Sequence, residues 1–375
     1  MTEEPVAGPV PLRVIAAQWT RLGCIGFGGP PAHIALLRKL VVDDRAWLDS
    51  SEFEDGVAVV NLLPGPASTQ LTIYCAWRLR GAAGALVGGA GFILPGLVVI
   101  LTLSTVFLAE HPPGWVAAPA PRAAALGLVP PSWRRAGTTA ARARWIGYLI
   151  AGGASAALVG PFLVAVLIVC GLIEAVLNAR PKLPPASPAV VLPLAAASTG
   201  GLLSLAWLAF KVGALSFGGG FVIIPLMQHD AVHTYHWMTA GQFLTAVALG
   251  QVTPGPVVQT VAVIGYAAAG VGGGLLASLV AFTPSFCFVL AGGRYFDRLR
   301  RSAAVQAFLT GAGPAAIGAI AGAAIPLLLA LAHLWQVAVL AVAAGWLIGL
   351  RRGVVTGILG AAALGVLTYL AGGPV

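Results

Sequence analysis

GALVGGAGFILPGLVVILTLSTVFL, residues 84–108, is an uncharged and mostly apolar run in which glycine and proline recur. It exceeds the roughly 20 apolar residues that a helix needs to cross the hydrocarbon core of a bilayer. Similar uncharged stretches lie at 145–173, 246–293 and 302–350. The sequence therefore predicts an all-α polytopic membrane protein.

The composition of the whole chain supports this class. Of 375 residues, 58% are hydrophobic and 9% are charged, and the mean hydropathy is +0.92, whereas soluble domains carry about 25% charged residues. The net charge of +9 comes from short arginine clusters between apolar segments, which is typical of cytoplasmic loops and not of a nucleic-acid surface. The abundant glycine and proline suit the broken helices of transporters.

The chain contains an internal repeat. Phe27-Gly28-Gly29-Pro30 is matched by Phe217-Gly218-Gly219-Gly220, 190 residues later, and Pro64-Gly65-Pro66 is matched in the same register by Pro254-Gly255-Pro256. Further pairs in this register are Arg21 with Lys211, Gly23 with Gly213, Trp47 with Trp237, Phe53 with Phe243, Phe92 with Phe282 and Trp145 with Trp335, while Pro95 is matched by Pro284, one position short. We predict two tandem repeats, 1–180 and 189–375, joined by the proline-rich linker 181–188.

Arginines indicate opposite orientations for the two repeats. Arg78 and Arg80 follow the first Pro-Gly-Pro segment, whereas the equivalent stretch 267–272 is uncharged; one segment later, 109–113 lacks arginine and 294–301 carries four. Because positive loops stay in the cytoplasm, equivalent loops would lie on opposite sides of the membrane. Such inverted repeats need an odd number of spans per half. A parallel six-plus-six arrangement is the main rival.

We predict five spans per half, with both termini outside. The predicted spans are 12–29, 84–108, 116–131, 145–159 and 161–177 in the first half, and 199–219, 271–293, 303–331, 333–350 and 353–371 in the second. The segments 52–77 and 241–270 are then re-entrant hairpins, each broken by its Pro-Gly-Pro.

A broken helix inside a membrane suits an anion. Proline interrupts the helical hydrogen bonds, and free backbone groups at this depth must face protein or a cavity. The helix that restarts after each break offers unpaired N–H groups and the positive end of its dipole. Two inverted copies would direct two such ends at one central site.

Side chains around the breaks complete the predicted site. Arg21 and Lys211 are cations at matching positions in apolar spans, where a charge is costly and is usually functional, although snorkelling to the headgroups is an alternative use. The glutamines could donate to an oxyanion or bond between helices. The predicted substrate-binding residues are Arg21, Phe27, Gly28, Gly29, Asn61, Pro64, Gly65, Pro66 and Gln70 in the first half, and Lys211, Phe217, Gly218, Gly219, Gln251, Pro254, Gly255, Pro256 and Gln259 in the second. No catalytic or metal-binding residue is predicted.

These motifs resemble the chromate ion transporter (CHR) family, in its long, two-domain form. The resemblance rests on the repeated Phe-Gly-Gly and Pro-Gly-Pro elements, on the stretch from Arg45 to Phe53, and on Phe92-Ile93-Leu94-Pro95 with its partner Phe282-Thr283-Pro284-Ser285. It implies a multi-pass protein of the bacterial inner membrane that exports chromate, confers chromate resistance and uses no organic cofactor. Pro30 departs from the glycine found at Gly220, which could make the halves unequal.

Other functions stay open from the sequence. Sulfate or another oxyanion shares the tetrahedral geometry of chromate, and a channel would use the same site. An intramembrane enzyme acting on a lipid phosphate lacks a paired acid and base within the motifs. The expected partners are an oxyanion, the lipid bilayer and, as an open alternative, a second copy in a homodimer; nucleic acid is not expected.

Overall fold

A computed structural model describes residues 9–60, 63–108, 139–158, 163–179, 201–216, 223–292 and 302–329, together with 342 and 360. Every regular element in these ranges is helical. This agrees with the predicted all-α class. The predicted spans 116–131, 333–350 and 353–371 fall almost entirely outside the described residues.

Within the described residues, the first half contributes six α-helices and one π-helical turn. They are α1 (Leu12–Ile25), α2 (Pro30–Arg38), the π-turn Lys39–Asp44, α3 (Ser50–Val60), α4 (Ala67–Phe107), α5 (Thr139–Leu158) and α6 (Leu163–Ala179). In the second half the elements are α7 (Leu202–Leu215), α8 (Ile224–Gln228), the π-turn His229–Thr234, α9 (Ala240–Val252), a 3-10 turn (Val257–Gln259), α10 (Thr260–Gly292) and α11 (Ala303–Leu329).

Helix α4 is two antiparallel helices joined by a sharp turn. The backbone leaves helical geometry at Arg80 and at Gly81, which has φ +59°, a conformation that glycine adopts at little cost. Residues on either side then face one another, because a Cβ on Gly88 would overlap that of Ala76. Helix α10 turns in the same way at Gly270, with φ +62°. The arms 67–79 and 82–107 are therefore separate helices.

The chain also turns back on itself at the first Pro-Gly-Pro. Glu52, at the start of α3, forms an ion pair with Arg78, and a Cβ on Gly56 would lie 2.6 Å from the Tyr74 ring. Contacts that pair early residues of α3 with late residues of the arm 67–79 define an antiparallel hairpin. The turn at 64–66 forms its tip.

The lengths and surfaces of the helices fit a bilayer. By length and composition, two helical segments of the described chain are candidate spans, Ala67–Phe107 and Val257–Gly292, although each contains the turn described above. The arm 82–107 alone is about 39 Å long at 1.5 Å per residue, against a hydrocarbon core of about 30 Å. Large apolar side chains such as Val98, Val176 and Leu279 are exposed on the protein surface. The fold is that of a helical membrane protein.

The two halves repeat each other in backbone detail. Each has a π-turn after its second helix, and the non-glycine residues with positive φ, Ala46 and His236, occupy equivalent positions. After the Pro-Gly-Pro turns, the register shortens by one residue. The amide N–H of Gln70 donates to the carbonyl of Pro66, four residues back, whereas Gln259 reaches Pro256, only three back. One residue fewer in the second half explains why Pro284 is one position short.

This shorter register changes one predicted pair. In the structure a Cβ on Gly23 would lie 2.7 Å from the carbonyl oxygen of Phe92, and a Cβ on Gly213 would overlap the carbonyl oxygen of Ala281. Ala281, and not Phe282, is therefore the packing equivalent of Phe92.

A separate cluster combines helices from both halves. Helix α11 packs against α5 and α6, and glycines allow close approach, since a Cβ on Gly318 would overlap the carbonyl oxygen of Leu149. Close backbone contact through small residues is the usual way in which membrane helices associate. The remaining helices α1–α4 and α7–α10 carry the Pro-Gly-Pro turns.

Candidate functional site

Both Pro-Gly-Pro turns depend on a glycine in the left-handed region. Gly65 has φ +123° and Gly255 has φ +95°, and an L-residue with a side chain would be strained in either position. The chain is non-helical at 63–66 and at 253–256. Each turn thus separates a shorter helix from one that restarts after it.

The second turn docks onto the first half. The amide N–H of Gly255 donates to the carbonyl oxygen of Gly26, at the end of α1, over 2.8 Å. On the other side, a Cβ on Gly96 would overlap the carbonyl oxygen of Pro254, and a Cβ on Gly29 would lie 3.8 Å from Val257. The Phe-Gly-Gly element of the first half therefore lies beside the Pro-Gly-Pro of the second.

The first turn docks onto the second half in a reciprocal manner. A Cβ on Gly65 would lie 3.3 Å from the carbonyl oxygen of Gly213, on α7. Gly213 is the repeat equivalent of Gly23, whose carbonyl oxygen lies 3.9 Å from a Cβ built on Gly255. Each half consequently covers the turn of the other.

His33 links the two turns. Its Nε2 lies 2.9 Å from the carbonyl oxygen of Gly26, and its Nδ1 lies 3.3 Å from the hydroxyl of Ser68. A carbonyl only accepts, so Nε2 carries the hydrogen, and in the neutral ring Nδ1 accepts from Ser68. Because Gly26 also binds Gly255, this network joins the helix start after the first turn to the second turn. The imidazole is 1% exposed and meets Phe92 edge to face.

Gln70 and Gln259 brace the turns. The Nε2 of Gln70 donates to the carbonyl of Pro64 over 2.7 Å, and that of Gln259 donates to the carbonyl of Ile93 over 2.5 Å. Each amide therefore commits one hydrogen to the backbone, so these two residues hold the turns as well as lining them.

Several buried polar atoms near the breaks lack a hydrogen-bond partner among the described residues. They are the hydroxyls of Thr69, Ser216 and Ser285, the Nε2 of Gln251 and the Oε1 atoms of Gln70 and Gln259. Buried polar groups are nearly always paired with protein, water or a ligand. A set of unpaired atoms around both turns marks this region as the candidate site.

The two predicted cations are in different settings. The Lys211 ammonium forms an ion pair with Asp230 and lies over the ring of Trp207. The side chain of Arg21 is exposed on α1. Among the described residues, the partners found for Lys211 are Asp230 and Trp207, and neither belongs to a Pro-Gly-Pro turn.

The remaining predicted residues divide into three groups. The structure brings together Gly29 and the second turn, and it places Gln70 and Gln259 against their backbone partners. Phe27 and Gly28 lie between α1 and α2, partly exposed. The residues that lie outside the described part of the chain are Asn61, Phe217, Gly218 and Gly219.

Sequence reasoning missed His33 and the hydroxyl residues. His33 has no histidine at its repeat equivalent, Ile223, so a search for repeated polar residues passes over it. Ser216 and Ser285 likewise correspond to Gly26 and Gly96. A comparison that looked for polar residues present in only one half would have found these residues.

Known proteins resemble the chain over most of its length. The family model described as Chromate transporter matches residues 14–175 and again 203–366. A chromate transport protein of Cupriavidus metallidurans is 31% identical, covering 84% of this chain and 82% of that protein. One from Pseudomonas aeruginosa is 30% identical over 87% of this chain and 83% of that protein. A probable chromate transport protein of Synechococcus elongatus is 27% identical over 84% of each.

No solved structure matches the chain. The double family match and the long alignments nevertheless confirm the resemblance that the motifs predicted. The names of these relatives indicate a transporter. This chain is a membrane protein that belongs to the chromate transporter family.

Proposed function

We propose that this chain is a secondary transporter that exports a tetrahedral oxyanion, chromate first among the candidates, across the bacterial inner membrane. The names of its relatives support chromate as the substrate. The observation that carries the proposal is the hydrogen-bond network through Gly26, His33 and Ser68, which joins the second Pro-Gly-Pro turn to the helix start after the first. Because each half covers the turn of the other, a site beside these helix breaks is one that both halves can open or close.

The chemistry of the region suits an anion. The N–H groups that begin a helix are unpaired and lie at the positive end of its dipole. The unpaired Nε2 of Gln251 adds a donor beside the second turn. A dianion needs several donors, and the helix starts and unpaired side chains of this region offer them without a buried net charge.

The cations have separate proposed roles. Arg21, exposed on α1, would raise the local concentration of anions through its field. Lys211 would reach the substrate only when it leaves Asp230, so substrate binding and rupture of the ion pair would occur together. This makes Lys211 part of a conformational step.

The driving force need not be ATP. No GxxxxGK[ST] phosphate loop is present in the sequence, and an inside-negative potential favours export of a dianion by about 4.6 kcal/mol per 100 mV. Rocking of one repeat against the other around the central site would expose it to each side in turn.

Inverted orientation of the repeats is part of the proposal. It is supported by the reversed arginine pattern and by the reciprocal docking of the turns. Cysteines introduced next to the turns at Gly81 and Gly270 test it. Ala82→Cys and Val271→Cys occupy equivalent exposed positions, and both are made in a background that lacks the four native cysteines. A membrane-impermeant thiol reagent should label Ala82→Cys only from the cytoplasmic side and Val271→Cys only from outside. Labelling of both from one side would refute the inversion.

Transport itself is tested with purified protein in proteoliposomes. Radioactive chromate should accumulate by saturable counterflow when the vesicles contain unlabelled chromate, and internal sulfate should replace it if the site reads only tetrahedral geometry. Conductance without counterflow would indicate a channel. Arg21→Ala should lower the rate, and Arg21→Lys should restore most of it. The absence of any saturable flux in the wild-type protein would refute the proposal.

A further inference from the structure

We infer that the oxyanion binds at the first Pro-Gly-Pro turn, 64–66, in a site made by the hydroxyls of Thr69, Ser216 and Ser285, and that the second turn is a closed packing contact. The inference rests on the proposed function and gives its site a location. It follows from places where the two halves differ although their backbones match.

The residues after each turn are the first difference. Three residues, Ala67-Ser68-Thr69, separate Pro66 from Gln70, whereas only Val257 and Val258 separate Pro256 from Gln259. The first helix starts directly as an α-helix, since Gln70 donates to Pro66, and the N–H groups of three residues precede that bond. The second starts as a 3-10 turn at Val257–Gln259. The helix start after the first turn thus offers one more backbone N–H group, and it carries the unpaired hydroxyl of Thr69 where the second has only valines.

The opposite wall is the second difference. Ser216 follows α7 with φ −77° and ψ 85°, nearly the backbone conformation of its equivalent Gly26, with φ −75° and ψ 76°. Ser285 likewise follows Pro284, as Gly96 follows Pro95. The two positions that contact the second turn, Gly26 and Gly96, are therefore glycines. Their equivalents in the second half, Ser216 and Ser285, are serines.

The glycines close the second turn. The Gly26 carbonyl already binds the amide of Gly255, and a Cβ on Gly96 would overlap the carbonyl oxygen of Pro254. Val258 is 1% exposed. The amide of Gly255 is therefore paired, and the backbone of Pro254 packs directly against Gly96.

The serines leave the first turn open to a ligand. Thr69, Ser216 and Ser285 are each 0% exposed, and their hydroxyls have no hydrogen-bond partner among the described residues. The carbonyl oxygen of Gly213, three residues before Ser216, lies 3.3 Å from a Cβ built on Gly65, which places the end of α7 beside this turn. Unpaired buried hydroxyls are costly, and a bound ligand removes that cost.

The ligand class follows from the donors. Thr69, Ser216 and Ser285 lie on three separate segments, and we expect their hydroxyls, with the N–H groups of a helix start, to approach a tetrahedral anion from several directions. The neighbouring Ser68 is held by His33, so its hydroxyl points elsewhere. A hydrated but anion-free site would be lined by the same atoms, and the experiment separates the two cases.

The test measures chromate uptake into everted membrane vesicles. Thr69→Val, Ser216→Ala and Ser285→Ala should each raise the KM for chromate about 10-fold or more, the loss expected for one hydrogen bond to a charged group. Thr69→Ser, which keeps the hydroxyl, should stay near the wild-type value. Ser104→Ala is the matched control, because this buried hydroxyl is already bonded to the Ile100 carbonyl, and its KM should not change.

A second readout covers variants that assemble poorly. In purified protein, chromate or sulfate should raise the midpoint of thermal unfolding for the wild type and Thr69→Ser, and much less for Thr69→Val. A wild-type KM in all three hydroxyl-lacking variants, and a wild-type ligand shift in Thr69→Val, with active wild type, would overturn the location and leave the proposed function intact. Inactive wild type would instead remove the proposed function.

Discussion

Replacing His33 with leucine should destabilise the protein by about 3–5 kcal/mol. The change removes two hydrogen bonds, to Gly26 and Ser68, each worth about 1 kcal/mol net. It also leaves the Ser68 hydroxyl buried and unpaired, at a further cost of about 1–3 kcal/mol. The Gly26 carbonyl keeps one partner, because Gly255 still donates to it, so it adds no penalty.

The assay is unfolding of purified protein in detergent, followed by the loss of helical circular dichroism. His33→Leu should unfold at a clearly lower denaturant concentration than the wild type, and its transport rate should fall because the turns are no longer linked. His233→Leu is the control: this histidine is exposed, and surface substitutions usually change stability by less than about 0.5 kcal/mol.

A double variant makes the test decisive. In His33→Leu, the added change Ser68→Ala removes the unpaired hydroxyl, so the double variant should recover about 1–3 kcal/mol relative to His33→Leu. In the wild-type background Ser68→Ala should instead destabilise, because it breaks the bond to Nδ1. If Ser68→Ala has the same effect in both backgrounds, the two side chains are not coupled and the reasoning fails.

Two further predictions concern packing and charge. Gly96→Ala should abolish transport and lower the yield of folded protein, because its Cβ would overlap the backbone oxygen of Pro254, and no side-chain movement can relieve that overlap. Gly313→Ala is the control, because the space around its Cβ is open. It should match the wild type in expression level and in size-exclusion chromatography. Asp230→Asn should destabilise the protein by about 3–5 kcal/mol, because it leaves the Lys211 ammonium, 17% exposed, without its counter-charge. The double variant Asp230→Leu with Lys211→Met removes both charges and should be more stable than Asp230→Asn in chemical denaturation. If the double variant is no more stable, this reasoning is refuted.

Local chemistry made much of the fold predictable. Uncharged runs long enough for a bilayer indicate helices, and proline and glycine in one short segment indicate where a helix must break. The family match confirms the resemblance that the motifs predicted. The spans that lie outside the described residues, the inverted orientation and the boundary at 181–188 stay predictions.

The parts that the sequence did not reveal depend on tertiary contacts. The role of His33 arises only when α2 places it between Gly26 and Ser68, which are 7 and 35 residues away in the chain. The partner of Lys211 is 19 residues away, in a π-turn, and no spacing rule connects them. The repeat search favoured residues shared by both halves, whereas the candidate anion site is built from residues that differ.

The reciprocal docking of the two turns bears on how such a protein is assembled. Because the carbonyl that receives the amide of Gly255 belongs to Gly26, neither repeat alone contains the surface that its own Pro-Gly-Pro requires. Two separately encoded halves should therefore reach an active state only by complementation within one cell. Fusion into one polypeptide fixes their stoichiometry and frees each copy to specialise.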